Sequence, residues 1–260
     1  MRAVTSMSTA PSADWRLAVV LAVLTAAAVV LSRVGGLGVG REQAVAAARA
    51  VVQLAVVSAV IAAVLGSVVW SLGFVLLMFS VATMTSTRRL GLSVSTAPAV
   101  GAAVGAGAAP VVALCLGSGV VPFTGPGILP VAGIVIGGAM TAATLTGRRA
   151  FQELQAHAGT YEAALALGLT SPQATRLVVE PSAREALVPG IDQTRTVGLV
   201  TLPGAFVGVL LGGGTALEAG AAQVLVLVGL LAAQAATAAV MLHLVATRRV
   251  LRPDLQALAR

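Results

Sequence analysis

Seven long apolar runs divide this chain, and nearly all of its charge lies between them. The runs cover residues 17–31, 45–65, 68–82, 90–116, 128–145, 196–211 and 219–245. A helix crossing a bilayer core takes about 20 apolar residues. A soluble domain has no interior large enough for seven such segments. Charged residues make up 10% of the 260, against about a quarter in ordinary soluble domains. The expected fold class is all-α, a polytopic transmembrane helical protein of about seven spans, forming one transmembrane domain over residues 1–260. Two readings stay open. The two-residue gap at 66–67 also suits a re-entrant pair. The run 17–31 also suits the apolar core of a cleaved signal peptide.

All sixteen basic residues are arginine. Without lysine there is no phosphate-binding P-loop and no Schiff-base chemistry. Nucleotide hydrolysis by the P-loop route is therefore not expected in this chain. One cysteine, Cys115, and two separated histidines, His157 and His243, build neither a disulfide nor a zinc motif. No Ser/His/Asp set and no HExxH pattern suggests an enzyme. No cofactor is expected, and the metal-ligating residues, if any, stay unknown. The formal charge of +7 reads as orientation signals between apolar runs rather than as a nucleic-acid surface. On the seven-span map, fourteen arginines fall on one side and only Arg2 and Arg16 on the other. The positive-inside rule places the fourteen in the cytoplasm, the N-terminus outside and the C-terminus inside. The outer loops 117–127 and 212–218 are short. The inner loop 147–195 is long, so the working surface faces the cytoplasm.

Within that loop Phe151, Leu154, Ala158, Tyr161 and Leu165 follow helical spacing. Ser171-Pro172, after Gly168, reads as an N-cap and first-turn pair that starts a second helix. The loop is expected to be a compact two-helix knob. It carries Glu162-Ala163-Ala164, then Gly168, then Val178-Val179-Glu180-Pro181. This resembles the EAA loop of ABC transporter permeases, E-A-A-x3-G-x9-I-x-L-P, with Glu180 in place of the leucine. The resemblance implies that Glu162, Ala163, Ala164, Gly168 and Pro181 couple the chain to a separate ATPase subunit.

The likeness extends from about residue 41 to 249. Arg49-Ala50-Val51-Val52-Gln53-Leu54, Pro130 through Met140, and Gly198-Leu199-Val200-Thr201-Leu202-Pro203-Gly204 are similar to the FetB-type (YbbM-like) permease family. That family contains a bacterial permease associated with iron export and plant aluminium-tolerance permeases. Ile134 stands for methionine, Gly138 for asparagine, Ala205-Phe206-Val207 for Met-Met-Thr and Val209 for glutamine of the family pattern, which dilutes its soft and polar groups. The resemblance implies the permease subunit of an ABC transporter in the cell membrane, a homodimer with two ATPase subunits that hold ATP and Mg, and export of an iron-like metal ion. The alternatives are an ABC permease for a small organic solute or a secondary transporter. The last would want acids at span centres, and the span map places none there.

Candidate pathway residues follow from polar or kinking groups inside the runs: Gln53, Met140, Pro203, Gly204, Gln223 and Gln234. Prolines at 98, 110 and 203 would kink their helices and free carbonyls. Gly133, Gly137 and Gly138, and then Gly204, Gly208 and Gly212, form small-residue faces suited to close helix packing or to a mobile pair lining a path.

Overall fold

A computed structural model of the chain describes residues 14–256. Among the described residues the regular structure is helical, with a single isolated bridge between Val197 and Thr201. Six helices among the described residues are long and apolar enough to cross a membrane. The chain divides into a first unit ending at Ala63 and a second starting at Val64.

The first unit is a helical hairpin. Helix α1 (Trp15–Val34) is capped by Asp14, whose side chain accepts from the Leu17 N–H. Helix α2 (Gly40–Leu65) returns after a turn in which Gly36 and Gly38 take positive φ. The Ser32 hydroxyl donates to Gln43 Oε1 at 2.7 Å, and the Gly40 backbone lies against Val29. Gly66 and Ser67 separate α2 from α3 (Val68–Arg89), and both helices reach span length.

The second unit continues with α4 (Ala97–Gly117), α5 (Gly125–Ala156), α6 (Ala158–Ala166), α7 (Ser171–Ala183), α8 (Val188–Thr196), α9 (Gly204–Leu211), α10 (Ala216–Ala246) and α11 (Pro253–Gln256). Its core is α10 packed on α4 and α5, with α3 against α4 and α5. Lipid tails are as apolar as leucine, so helices in a bilayer associate by close approach rather than by hydrophobic exclusion. That approach is visible at two glycines. Gly107, midway along α4, leaves no room for a Cβ against the Ala233 carbonyl and the Thr237 hydroxyl of α10. Gly138 of α5 is closed in the same way by Leu230 and Gln234. Pro98 falls in the first turn of α4, where the missing N–H costs nothing, while Pro110 lies inside that helix.

Helix α5 has 32 residues, about 48 Å at 1.5 Å per residue, against about 30 Å of hydrocarbon. It runs through the start of the expected loop and projects from the bundle. Its C-terminal end shares one face of the bundle with those of α3 and α10: Arg148 reaches the Arg89 carbonyl at 3.4 Å, and Gln155 donates to Asp254 at 2.8 Å. The arginines at the ends of these three helices therefore gather at one end of this unit.

Helices α5 and α10 are parallel, so the chain must cross back between them. The run 196–211, expected as one span, does so in pieces. A 3-10 turn at Arg184–Leu187 is tied to α5 by the Arg149–Glu185 ion pair at 3.1 Å. Gly190 of α8 then packs on Gln234. The chain breaks at 197–203, and α9 begins beside Gln223. Gly198 has φ +82, and Pro203 imposes an extended approach, so no helix continues through. Among the described residues six helices are continuous and of span length, and the return between α5 and α10 is made by short helices with a break between them.

This arrangement has a direct check. In a Cys115→Ala background, Val120→Cys and Leu217→Cys should react with an impermeant thiol reagent from one face of the membrane, and Thr160→Cys from the other. Leu217→Cys reacting together with Thr160→Cys would remove the broken crossing.

Candidate functional site

Two features of the second unit stand out: a knob at the projecting end of α5 and a cavity beside the broken crossing. The knob is α6 and α7. The helical face expected over 151–165 is split by His157, whose φ of −117° and ψ of 33° end α5 and start α6. Phe151 and Leu154 of α5 are buried with Tyr161 and Ala164 of α6, Val178 and Val179 of α7, and Val245 and Leu251. At the water-facing end of the molecule this is an ordinary hydrophobic core, worth roughly 1.5–3 kcal/mol per large side chain removed from water. Helix α7 starts at Ser171. Its cap is one residue earlier than expected, since the N–H and hydroxyl of Thr170 both donate to Gln173 Oε1, at 2.9 and 2.8 Å.

That shift frees Ser171 for another task. Arg248, just past the end of α10, donates from Nε to the Ser171 hydroxyl at 2.8 Å and from its terminal nitrogen to the Tyr161 hydroxyl at 2.9 Å. Tyr161 and Ser171 are themselves 2.9 Å apart. Arg248 is the one non-glycine residue with positive φ, 60°, among the described residues. Such a conformation costs on the order of 1–3 kcal/mol. Two hydrogen bonds from a charged donor contribute about 1.5–3 kcal/mol each and offset it. The triangle clamps the end of α10 to both helices of the knob. Sequence reading missed it because nothing in the spacing of 161, 171 and 248 announces it.

The residues expected to couple the chain to an ATPase lie on α6, in the turn after it and on α7. Glu162 and Ala163 are exposed and Ala164 is buried in the knob core. Gly168 turns between α6 and α7 with φ +89, and no neighbour comes within contact of a Cβ built there, so the turn needs glycine for its dihedral angle rather than for space. Leu167 beside it is 82% exposed. Pro181 lies exposed inside α7. Of the expected loop 147–195, residues 158–183 form the knob, 147–156 continue α5, and 188–196 enter the bundle.

The cavity has a volume of about 1040 Å³ and lies among α5, α8, α9 and α10. Pro203, Gly204 and Gln223, three of the expected pathway residues, line it, together with Pro130, Gly208 and Gln193. Gly204 and Gly208 have no neighbour within contact of an added Cβ, so the small-residue face of α9 opens onto the cavity instead of packing. Gln223 is buried, and its Oε1 accepts from the Phe206 N–H at 3.2 Å. It thereby satisfies one of the free N–H groups in the first turn of α9. Glu218, which also lines the cavity, is held by Thr215, whose N–H and hydroxyl both donate to it, at 2.8 and 2.9 Å, in a capping box.

The other three candidates lie elsewhere. Gln234 does not line the cavity; it is buried where Gly138 and Gly190 close on it, which makes it a packing group between helices. The Met140 side chain packs against the apolar core, while its carbonyl accepts from Ser86 and Thr144. Gln53 is exposed on α2 in the first unit. Among the described residues no three His, Cys, Asp or Glu side chains gather to hold a metal ion.

One expectation needs correction. The span map leaves no acid at mid-membrane and counts Arg195 with the cytoplasmic arginines. Gly190 packs on Gln234, which is level with Gly138 in the apolar middle of α5 and one turn or less from the α10 residues that meet Gly107 at the middle of α4. Helix α8 therefore starts at mid-bundle depth and carries Asp192, Gln193 and Arg195 with it. A linear reading of hydropathy could not find this, because a short polar helix can be folded into a bundle by its neighbours.

The family model described as "Uncharacterised protein family (UPF0014)" matches residues 15–250. The chain is 36% identical over 206 residues to "UPF0014 membrane protein STAR2" of Oryza sativa subsp. japonica, covering 78% of this chain and 72% of that one. It is 32% identical to "Protein ALUMINUM SENSITIVE 3" of Arabidopsis thaliana, covering 77% and 74%. It is 34% identical to "Probable iron export permease protein FetB" of Escherichia coli (strain K12), over 43% of each chain. No solved structure matches.

The clamp predicts a graded loss. Arg248→Gln should destabilise the knob by about 2 kcal/mol and Tyr161→Phe by about 1 kcal/mol. Hydrogen exchange should rise in residues 158–183 while the centres of α4 and α10 stay protected. Unchanged exchange in Arg248→Gln would show that the apolar core alone holds the knob.

Proposed function

Because the chain belongs to the UPF0014 membrane-protein family, we propose that it is the permease subunit of an ABC-type transporter, driven by ATP hydrolysed on a separate subunit. It is a multi-pass membrane protein. The knob carries the reading. An E-A-A face with Glu162, Ala163 and Leu167 exposed is offered to a partner, while the opposite side is fused to α5 and clamped to α10. A displacement imposed on the knob is passed directly to the two helices that flank the cavity. One chain has one knob, so two chains and two ATPase subunits form the working unit, in the cell membrane with the knob cytoplasmic and the N-terminus outside.

The cargo in this reading is an iron-like metal ion, moved outward. The relative named for iron export supports it, and so does the cavity reaching toward the outer mouth at Val120 and Glu218. An exporter needs weak, transient contacts, which mostly apolar walls with a few amides supply. The same volume suits a small organic solute, and the cargo experiment separates the two.

Gly168→Leu places a branched side chain at φ +89, a strain on the order of 1–2 kcal/mol. It should insert and dimerise normally but lose most of its stimulation of the ATPase in proteoliposomes. Glu162→Ala should weaken ATPase pull-down. Full stimulation by Gly168→Leu would remove the knob as the transmitting element. Cells lacking this chain should retain more iron and be more sensitive to peroxide. Unchanged content under iron, manganese, zinc and aluminium exposure would exclude a metal cargo while leaving the coupling result intact.

A further inference from the structure

The charges of α8 are turned away from the cavity. At about 100° per residue, Asp192 and Arg195 lie about 60° apart round the helix axis, and Gln193, which lines the cavity, lies about 130° from their midpoint. The two charged side chains are 59% and 74% exposed. Gly190 packs on Gln234 at mid-bundle depth. Arg195 is five residues farther on, within about 7.5 Å of that level along a helix rising 1.5 Å per residue. The hydrocarbon core reaches about 15 Å to either side of its middle. The pair is therefore exposed at a depth where lipid does not accept charge. Val188, one turn before Asp192, is exposed on the same face, and beyond the helix Leu199 is 92% exposed. Leu199 belongs to the non-helical stretch 197–203. That stretch joins a helix starting level with Gln234 to one starting beside Gln223, both residues of α10. Irregular backbone at such depth is found only against protein or a water-filled cavity. The cavity is on the other side of α8, so the cover here is protein.

The charge pattern identifies that protein. An acid and a base side by side on one face are complementary to a second copy of the same face turned about a two-fold axis. Within one chain Asp192 and Arg195 are 3.7 Å apart, an ion pair longer than a hydrogen bond. The guanidinium donors thus stay open to a second carboxylate. We propose that the face of Val188, Asp192, Arg195 and Leu199 is where two copies of this chain meet within the membrane, Asp192 of each protomer pairing with Arg195 of the other. Four charges then form a neutral ring, shielded from lipid by the apolar residues on either side. This rests on the permease reading, in which two chains form the working unit, and adds the surface by which they join. Helix α8 then carries the contact between protomers on one face and the wall of the cavity on another.

The test exchanges charges between copies. Full-length chains carrying two different tags are co-expressed, extracted from the membrane in mild detergent and recovered on one tag. Asp192→Arg leaves two bases on the face, and Arg195→Asp leaves two acids. Each variant paired with its own tagged copy should show recovery of the second copy reduced about tenfold, because like charges then meet. The two variants expressed together should regain the wild-type level. The pair within each chain is broken in both, so only a contact between chains produces that rescue. A second measurement keeps the charges intact. Cys115 is the lone cysteine, and in a Cys115→Ala background Leu199→Cys should be joined to its copy in membranes by a short bifunctional thiol reagent, while the exposed Leu76→Cys of α3 should not. Self-association of each single variant at the wild-type level would overturn the proposal, as would a mixed pair recovered no better than the single variants. If the charge variants do not reach the membrane, absence of the Leu199→Cys cross-link overturns it alone. A wild-type chain that does not recover its own copy would remove the two-chain reading as well. ATPase stimulation in Gly168→Leu is measured separately, so failure of the interface and failure of the coupling reading are distinguishable.

Discussion

Hydrocarbon offers no hydrogen bonds, and the second unit is organised around that constraint. Wherever its backbone leaves the helical ladder at depth, a partner has to be found inside the protein. The break between α8 and α9 shows the solution. Gly198 donates to the Thr201 carbonyl at 2.9 Å and Val200 to Thr196 at 3.0 Å, so the turn closes on itself. The first turn of α9 takes its acceptor from Gln223 of α10. The hydroxyls of Thr194 and Thr196 fold back onto the carbonyls of Gly190 and Asp192. Helix α10 packs against both α8 and α9, on either side of the break.

Two kinds of cohesion meet in this unit. Inside the bilayer the helices hold together by backbone approach at Gly107 and Gly138 and by dispersion contacts. Beyond it, Phe151, Tyr161, Val178, Val179 and Leu251 form a core held by exclusion from water. Helices α5 and α10 belong to both. The Arg248 clamp sits at the junction of the two. The cavity lies farther along the same two helices.

The same residue types carry different meanings at the two levels. Pro203 reads as a kink in a span and is the extended N-cap residue of a short helix. Gln223 reads as a lining group; it lines the cavity, and its oxygen is also committed to holding α9. Gln234 reads as a pathway candidate and is a packing group closed in by two glycines.

The sequence alone determined the all-helical membrane class, the knob with its Gly168 turn, and the family, because these rest on local signals: run length, helical spacing, glycine at positive φ and motif order. Only the tertiary structure decided how the chain returns between α5 and α10, why Asp192 and Arg195 lie at mid-bundle depth, and that Arg248 binds the knob. Depth is set by what packs beside a segment. A nine-residue polar helix such as α8 carries no hydropathy signal for burial, and it reaches the middle of the bundle because Gly190 fits against Gln234.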